Sequence, residues 1–289
     1  MNSRVRGIAK TFMCAAGALL LTYGAAAAAE KGKSLVIKGS DTMVHLVTNW
    51  AEAFMKQNPN VEAAVTGGGS GTGIAALING TTDICAASRE MKDKEKQQAR
   101  EKGIEVKEIV VARDGIAVVV NPKNPIKEMN VQQLAEIFTG ETTRWNQLGG
   151  DKEEILVFSR ESSSGTYVFF QEHVLKNKDY TPKAKLMPAT STIIESVSSD
   201  KGAIGYVGLG YAAAAGNKVK ILSVKADANS PAVKPSDQTV IDGSYPIARP
   251  LYLYVSDKAS QNAEAFVDFC LSDAGQAIVR ESGYVTIKK

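Results

Sequence analysis

Arg160, Glu161, Ser162, Ser163, Ser164, Gly165 and Thr166 bring an arginine, four hydroxyls and a glycine into seven residues. Arginine offers a planar fork of donors that suits a tetrahedral oxyanion. Serine and threonine hydroxyls donate without filling the space, and Gly165 lets backbone come close. Three other turns use the same residue types: Gly39-Ser40-Asp41-Thr42, which runs into Met43; Gly67 to Gly73, which carries Ser70; and Ala87-Ser88-Arg89. Each has an ordinary explanation on its own. Ser40 and Thr42 are good helix caps, Arg89 beside Glu90 suits a surface ion pair, and the glycine stretch suits a flexible loop. Together they offer hydroxyls, backbone N–H groups and two arginines, with no histidine or cysteine among them. That is chemistry for holding an oxyanion, not for transforming one.

The elements that must position these turns alternate between strand and helix. Ile155 to Phe158 leads into the Arg160 turn, and an apolar-periodic run from Tyr167 to Leu175 leads out. Strand, tight turn and helix start follow in that order, and a helix start exposes unpartnered N–H groups at the positive end of its dipole. Earlier strands are expected over 34–38, 61–66 and 82–87, with helices over 43–57, 74–78 and 91–102. Two adjacent strand runs, 108–112 and 116–120, lead to Asn121-Pro122. A second strand–helix set follows, with a helix over 131–138, a Trp145 turn, a helix over 193–198 and strands over 203–207 and 218–224. Residues 226–244 are polar and rich in turns. Leu251 to Val255 reads as a returning strand, and 263–279 as one long final helix. The class is α/β with a largely parallel sheet. In such sheets ligands lie outside the carboxyl ends of the strands, where all four turns fall. The pattern predicts two lobes, 30–112 plus 250–289 and 113–249, joined by crossings near 112–118 and 248–254. A single doubly wound sheet would use the same elements.

Charge and cysteines narrow the partners. Arg4, Arg6 and Lys10, an apolar run from Thr11 to Tyr23 and the small residues Gly24 to Ala29 form an export leader, with cleavage expected after Ala29 and a periplasmic destination. The apolar run is too short for a stable membrane span, and Cys14 lacks the flanking small residues of a lipidation site. Without the leader the chain has 31 basic and 31 acidic residues, so nothing in its net charge favours nucleic acid. Cys85 and Cys270 read as buried small hydrophobes, with a disulfide as the alternative. Neither they nor His45 and His173 have metal-ligand spacing, so no metal or other cofactor is expected. The glycine stretch lacks the lysine of a phosphate loop and the last glycine of a dinucleotide fingerprint, and Ser70 lacks the second flanking glycine of a nucleophile elbow. His45 and His173 read as helix-surface or packing residues, and Trp145, Tyr206 and Tyr211 as core. A secreted phosphatase acting through Ser70 or Ser164 is therefore the weaker reading, and no enzyme activity is expected.

The order of Gly39-Ser40-Asp41-Thr42, Gly67 to Gly73, Asp83 to Arg89, Arg160 to Thr166 and Gly202-Ala203-Ile204-Gly205-Tyr206-Val207 resembles the PstS-type periplasmic phosphate-binding proteins across essentially the whole mature chain. The resemblance implies a two-lobed periplasmic-binding-protein fold of type II that closes over inorganic phosphate and presents it to the permease subunits of an ABC transporter, acting as a monomer. It places Ser40, Asp41, Thr42, Ser70, Ser88, Arg89, Arg160, Ser164, Gly165 and Thr166 at the ligand, with Met43 reaching it through its backbone N–H. One branch of the family carries an aspartate where Arg89 stands, to accept the proton of hydrogen phosphate. Asp41 or Glu161 is expected to take over that role, because a carboxylate there repels fully ionised sulfate. A receptor for sulfate, molybdate or tungstate is the alternative within the class.

Overall fold

The computed structural model describes residues 34–287; the leader and its cleavage near Ala29 lie outside them. The first strands and helices alternate as β1 (Leu35–Gly39), α1 (Val44–Gln57), β2 (Ala63–Thr66), α2 (Ser70–Ile78), β3 (Ile84–Ala87) and α3 (Asp93–Glu101). Then come β4 (Val106–Val120), β5 (Glu128–Asn130), α4 (Val131–Thr139), β6 (Leu156–Arg160), α5 (Gly165–His173), β7 (Lys185–Met187), α6 (Thr190–Ser199), β8 (Ala203–Gly208) and α7 (Leu209–Ala215). The chain ends with β9 (Lys220–Ile221), β10 (Ser223–Lys225), α8 (Asp237–Ile241), β11 (Ala248–Ser256), α9 (Gln261–Leu271) and α10 (Asp273–Glu281).

Strand order β2-β1-β3-β11-β4-β8-β6-β7 makes this a two-lobed α/β molecule built on the two ends of β4. Residues 106–115 of β4 pair antiparallel with β11, whereas 116–120 pair antiparallel with β8. β4 and β11 therefore run side by side from one lobe to the other, and β4 changes partner next to Gly115. Each lobe has its own core. Leu35, Ile37, Trp50, Phe54, Leu253 and Phe266 pack in the first, and Val118, Leu134, Phe138, Trp145, Phe170 and Tyr206 in the second. In α1 the helical spacing of Leu46, Val47, Trp50, Ala51 and Phe54 puts all five on one buried face. Trp145 and Tyr206 are core residues, as expected, whereas Tyr211 is only partly buried, and both cysteines are buried free thiols.

The structure departs from the sequence expectations in several places. The sheet is mixed: β1 pairs in parallel with β2 and β3, and β6 with β7 and β8, but every pairing of β4 and β11 is antiparallel. The two runs at 108–112 and 116–120 are one strand. Arg113-Asp114-Gly115 reads as a charged break, yet Arg249 bonds Asp114 from the adjacent strand, so the carboxylate is buried without interrupting the ladder. The final helix is two, because Ser272 is extended and its hydroxyl caps Gly275 N–H. A Cβ on Gly275 would stand 2.1 Å from Phe269 O, so the chain passes too close there for a larger residue.

Candidate functional site

The predicted turns meet where the lobes touch. Ser70 opens α2 and Gly165 opens α5, and a Cβ on Gly165 would lie 2.3 Å from Ser70 Oγ and 2.7 Å from Ser88 Oγ. Only a glycine permits that approach. Two helix N-termini, one from each lobe, thus abut, and Gly71 N–H donates to Ser163 O at 3.0 Å across the same seam. The 3-10 turn Asp41–Met43 meets them from a third side, with Thr42 Oγ1 2.8 Å from Thr166 Oγ1. Three positive helix ends facing one small volume gather backbone N–H donors of the kind that suit an anion.

The hydroxyls form connected chains. Ser40 Oγ donates to Ser88 Oγ at 2.9 Å, and Ser88 Oγ lies 3.3 Å from Ser70 Oγ. Ser70 Oγ also accepts the Ser88 amide at 3.0 Å, which leaves its own proton free to point at an anion. Ser164 Oγ caps α5 by accepting from the Thr166 and Tyr167 amides, so its O–H is likewise a donor. Ser40, Thr42, Ser70, Ser88, Ser164 and Thr166 are all buried.

Four of the predicted residues are held mainly by protein partners, and the carboxylate Glu161 stands apart. Met43 N–H closes its turn on Ser40 O at 3.0 Å, and its side chain is in the core. Arg89 turns toward Glu95, whose carboxylate takes both of its terminal nitrogens at 2.7 and 2.8 Å. Its Nε is buried with no partner among the described residues, a donor that an acceptor would satisfy. Arg160 donates to Met187 O, Pro188 O and Thr190 Oγ1 and stands 3.4 Å from Asp41. Asp41 accepts the Thr190 amide at 2.7 Å, and Tyr211 OH donates to Asp41 O, so Asp41 joins the lobes. Glu161 is exposed and stands outside the hydroxyl cluster.

Electrostatics follow these pairings. Burial pushes Arg160 below the usual arginine range, against the pull of Asp41. Burial pushes Asp114 up, opposed by Arg249. Burial also works to raise Glu95, but the Arg89 fork and the Lys92 backbone amide outweigh it and hold its carboxyl below the ordinary value. Sequence reasoning missed Asp114 and Arg249. Arg249 Nη2 reaches Thr166 Oγ1 at 3.0 Å and Nη1 reaches Ser88 O at 2.8 Å, so the pair belongs to the cluster. The only sequence signal was a charged residue inside each of two apolar strands.

His45 and His173 lie on exposed helix faces, His45 edge-on to Tyr211 and His173 stacked on Phe169. Neither bonds a cluster hydroxyl among the described residues, so no serine there is paired with a base. No group of three metal-ligating side chains occurs among the described residues. A cavity of about 540 Å³ opens beside the cluster between the lobes, lined in part by Arg89, Lys92, Phe169, Glu172, His173 and Arg249.

Residues 24–274 match the PBP superfamily domain. The phosphate-binding protein PstS of Staphylococcus haemolyticus is 36% identical over 254 residues, which cover 86% of this chain and 79% of that protein. The chain belongs to the PstS family. The PstS protein of Pseudomonas aeruginosa PAO1 is 35% identical over 266 residues, covering 86% of this chain and 81% of that one. A crystal structure of a substrate-binding protein from Clostridium perfringens with bound phosphate superposes with a TM-score of 0.80 at 32% identity, covering 88% of this chain and all of that one. An ABC-type phosphate transport receptor from Vibrio cholerae superposes with a TM-score of 0.71 at 28% identity, covering 87% of this chain and 99% of that one.

Proposed function

We propose that this chain is a solute receptor that captures inorganic phosphate between its lobes and delivers it to the permease of an ABC transporter. It is a binding protein, not an enzyme. The observation that carries the reading is the contact of Gly165 with Ser70 and Ser88, which brings two helix N-termini and their hydroxyls together from opposite lobes. The PstS relatives, named as phosphate-binding proteins, point to the same anion.

Within this reading the anion takes donors from Thr42, Ser70, Ser164, Gly165 and Thr166. Ser40 and Ser88 orient Ser70, Arg89 offers its unpartnered Nε, and Arg160 with Asp41 braces the seam. The lobes are 34–112 with 250–287 and 113–249, and the hinge lies where β4 and β11 cross. The leader over 1–29 sends the protein out of the cytoplasm to act as a monomer facing the permease. No described helix is long and apolar enough to cross a membrane.

Calorimetric titration of phosphate-stripped mature protein tests the reading, with sulfate, molybdate and tungstate as competitors. Phosphate is expected to bind and to resist an equal concentration of each competitor; displacement by one of them would reassign the receptor to that anion. Of the two carboxylates weighed as the proton acceptor, Asp41 is at the seam. Asp41→Asn is expected to narrow the preference for phosphate over sulfate by about 1.5–3 kcal/mol, the size of one charge-assisted hydrogen bond. An unaltered preference removes Asp41 from that role.

A further inference from the structure

Arg249 and Asp114 stand opposite each other in the register of the two crossing strands, where β4 leaves β11 for β8. Their side chains are 1% and 0% exposed. A buried ion pair of this kind is a weak source of net stability, and matched uncharged residues often replace one without loss. Position is the better explanation. The Arg249 guanidinium makes two bonds to Asp114 Oδ2, at 2.8 and 3.1 Å. A third goes to Ser88 O in the first lobe at 2.8 Å, and a fourth to Thr166 Oγ1 in the second at 3.0 Å. Arginine has five N–H groups, so one on Nη1 is left over.

Donor direction extends the argument. A guanidinium only donates, so Thr166 Oγ1 accepts from Arg249 and must send its own proton onward, either to Thr42 Oγ1 at 2.8 Å or to an anion oxygen. The positive charge of the hinge is therefore one hydrogen bond from the Thr166 hydroxyl in the second lobe and two from the Thr42 hydroxyl in the first. Asp114 is itself fixed from a second side, because its Oδ1 accepts Leu209 N–H at 2.9 Å. Gly208 completes the fit: a Cβ there would stand 2.7 Å from Thr42 Cγ2 and 3.1 Å from Asp114 Oδ2.

We infer that Arg249 is an anion-binding residue of this site, reaching it from the hinge, and that Asp114 is the positioning residue that holds its fork in place. Ser88 and Thr166 lie in different lobes, so the fork is fully engaged only when the lobes are closed. Anion affinity and closure are linked through this one side chain. The inference rests on the phosphate-receptor reading and adds to it a residue and a hinge coupling.

The test is phosphate titration of the mature protein as wild type, Arg249→Lys, Arg249→Gln, Asp114→Asn and the Asp114→Asn/Arg249→Gln double variant, each also melted without ligand. Lysine keeps the charge but not the fork. Arg249→Lys is expected to raise the phosphate Kd 100-fold or more; a Kd within twofold of wild type overturns the assignment of Arg249. Asp114→Asn is expected to weaken binding about tenfold in the wild-type background and not at all beside Arg249→Gln, because a residue acting through Arg249 has no effect once Arg249 is gone. An equal loss in both backgrounds overturns the positioning role. If Arg249→Lys does not fold, the uncharged double variant carries the same test: a Kd raised 100-fold supports Arg249, and a wild-type Kd overturns it. Wild-type protein that binds sulfate and not phosphate overturns the phosphate reading alone, and the same variants titrated with sulfate then decide the pair. Wild-type protein that binds no oxyanion removes both.

Discussion

Arg89 and Glu95 show how one residue pair can join local structure to the site. Glu95 accepts the Arg89 fork and also the Lys92 amide at 2.8 Å, so a single carboxylate starts α3 and holds Arg89 beside the cluster. Its folded pKa is depressed below the ordinary 4.5. A depressed carboxyl stabilises the folded state fully above its unfolded pKa, and that contribution disappears as pH falls through the folded value. Glu95→Gln should therefore lower the urea midpoint at neutral pH, with the gap from wild type closing as pH falls below 4.5. A gap that stays constant into acid would mean that the ion pair contributes nothing to stability. The residue types here were readable in advance, but Arg89's partner was not. Sequence adjacency pointed to Glu90, whereas the helical turn brings Glu95, six residues on, to the guanidinium.

At the scale of elements, the site depends on how closely α2 and α5 approach end to end. Gly165 has no positive backbone angle that demands glycine, and alanine is the better helix former. Gly165→Ala should therefore leave the lobes intact and obstruct only the seam, where its Cβ would meet Ser70 and Ser88. The expected outcome is a phosphate affinity at least 1.4 kcal/mol weaker, about tenfold, with an unchanged melting temperature for the ligand-free protein. Tight binding by this variant would mean that the two helix starts need not touch to hold the anion. That these turns begin helices was legible from strand, small residues and apolar periodicity. That Gly67 to Gly73 is half helix was not, because glycine disguises a helix start that packing enforces: Gly73 sits against Gly39 and Lys38 O, too close for any Cβ.

For the whole molecule, the closed form is the one that joins Thr42 to Thr166, Gly71 to Ser163 and Asp41 to Thr190. A ligand that binds this form and not the unfolded chain raises stability by about 2.7 kcal/mol at 100 times its Kd. For a chain of this size that is a rise of roughly 5–10 °C in melting temperature. Phosphate at that excess should produce the shift, and sulfate at the same concentration should not. An equal shift with both salts would indicate a general ion effect in place of a site.

The sequence by itself determined the class of the fold and the four hydroxyl-rich turns that the structure brings together. These are local matters, set by periodicity, by caps and by which side chains donate. Only the tertiary structure decided that Arg113-Asp114-Gly115 continues a strand, that Glu161 faces solvent while Asp41 faces Arg160, and that Arg249 reaches the cluster from 83 residues beyond Thr166. A charge inside an apolar strand has no meaning until its partner is known. For Asp114 that partner lies 135 positions along the chain, brought opposite by the antiparallel register of β4 and β11.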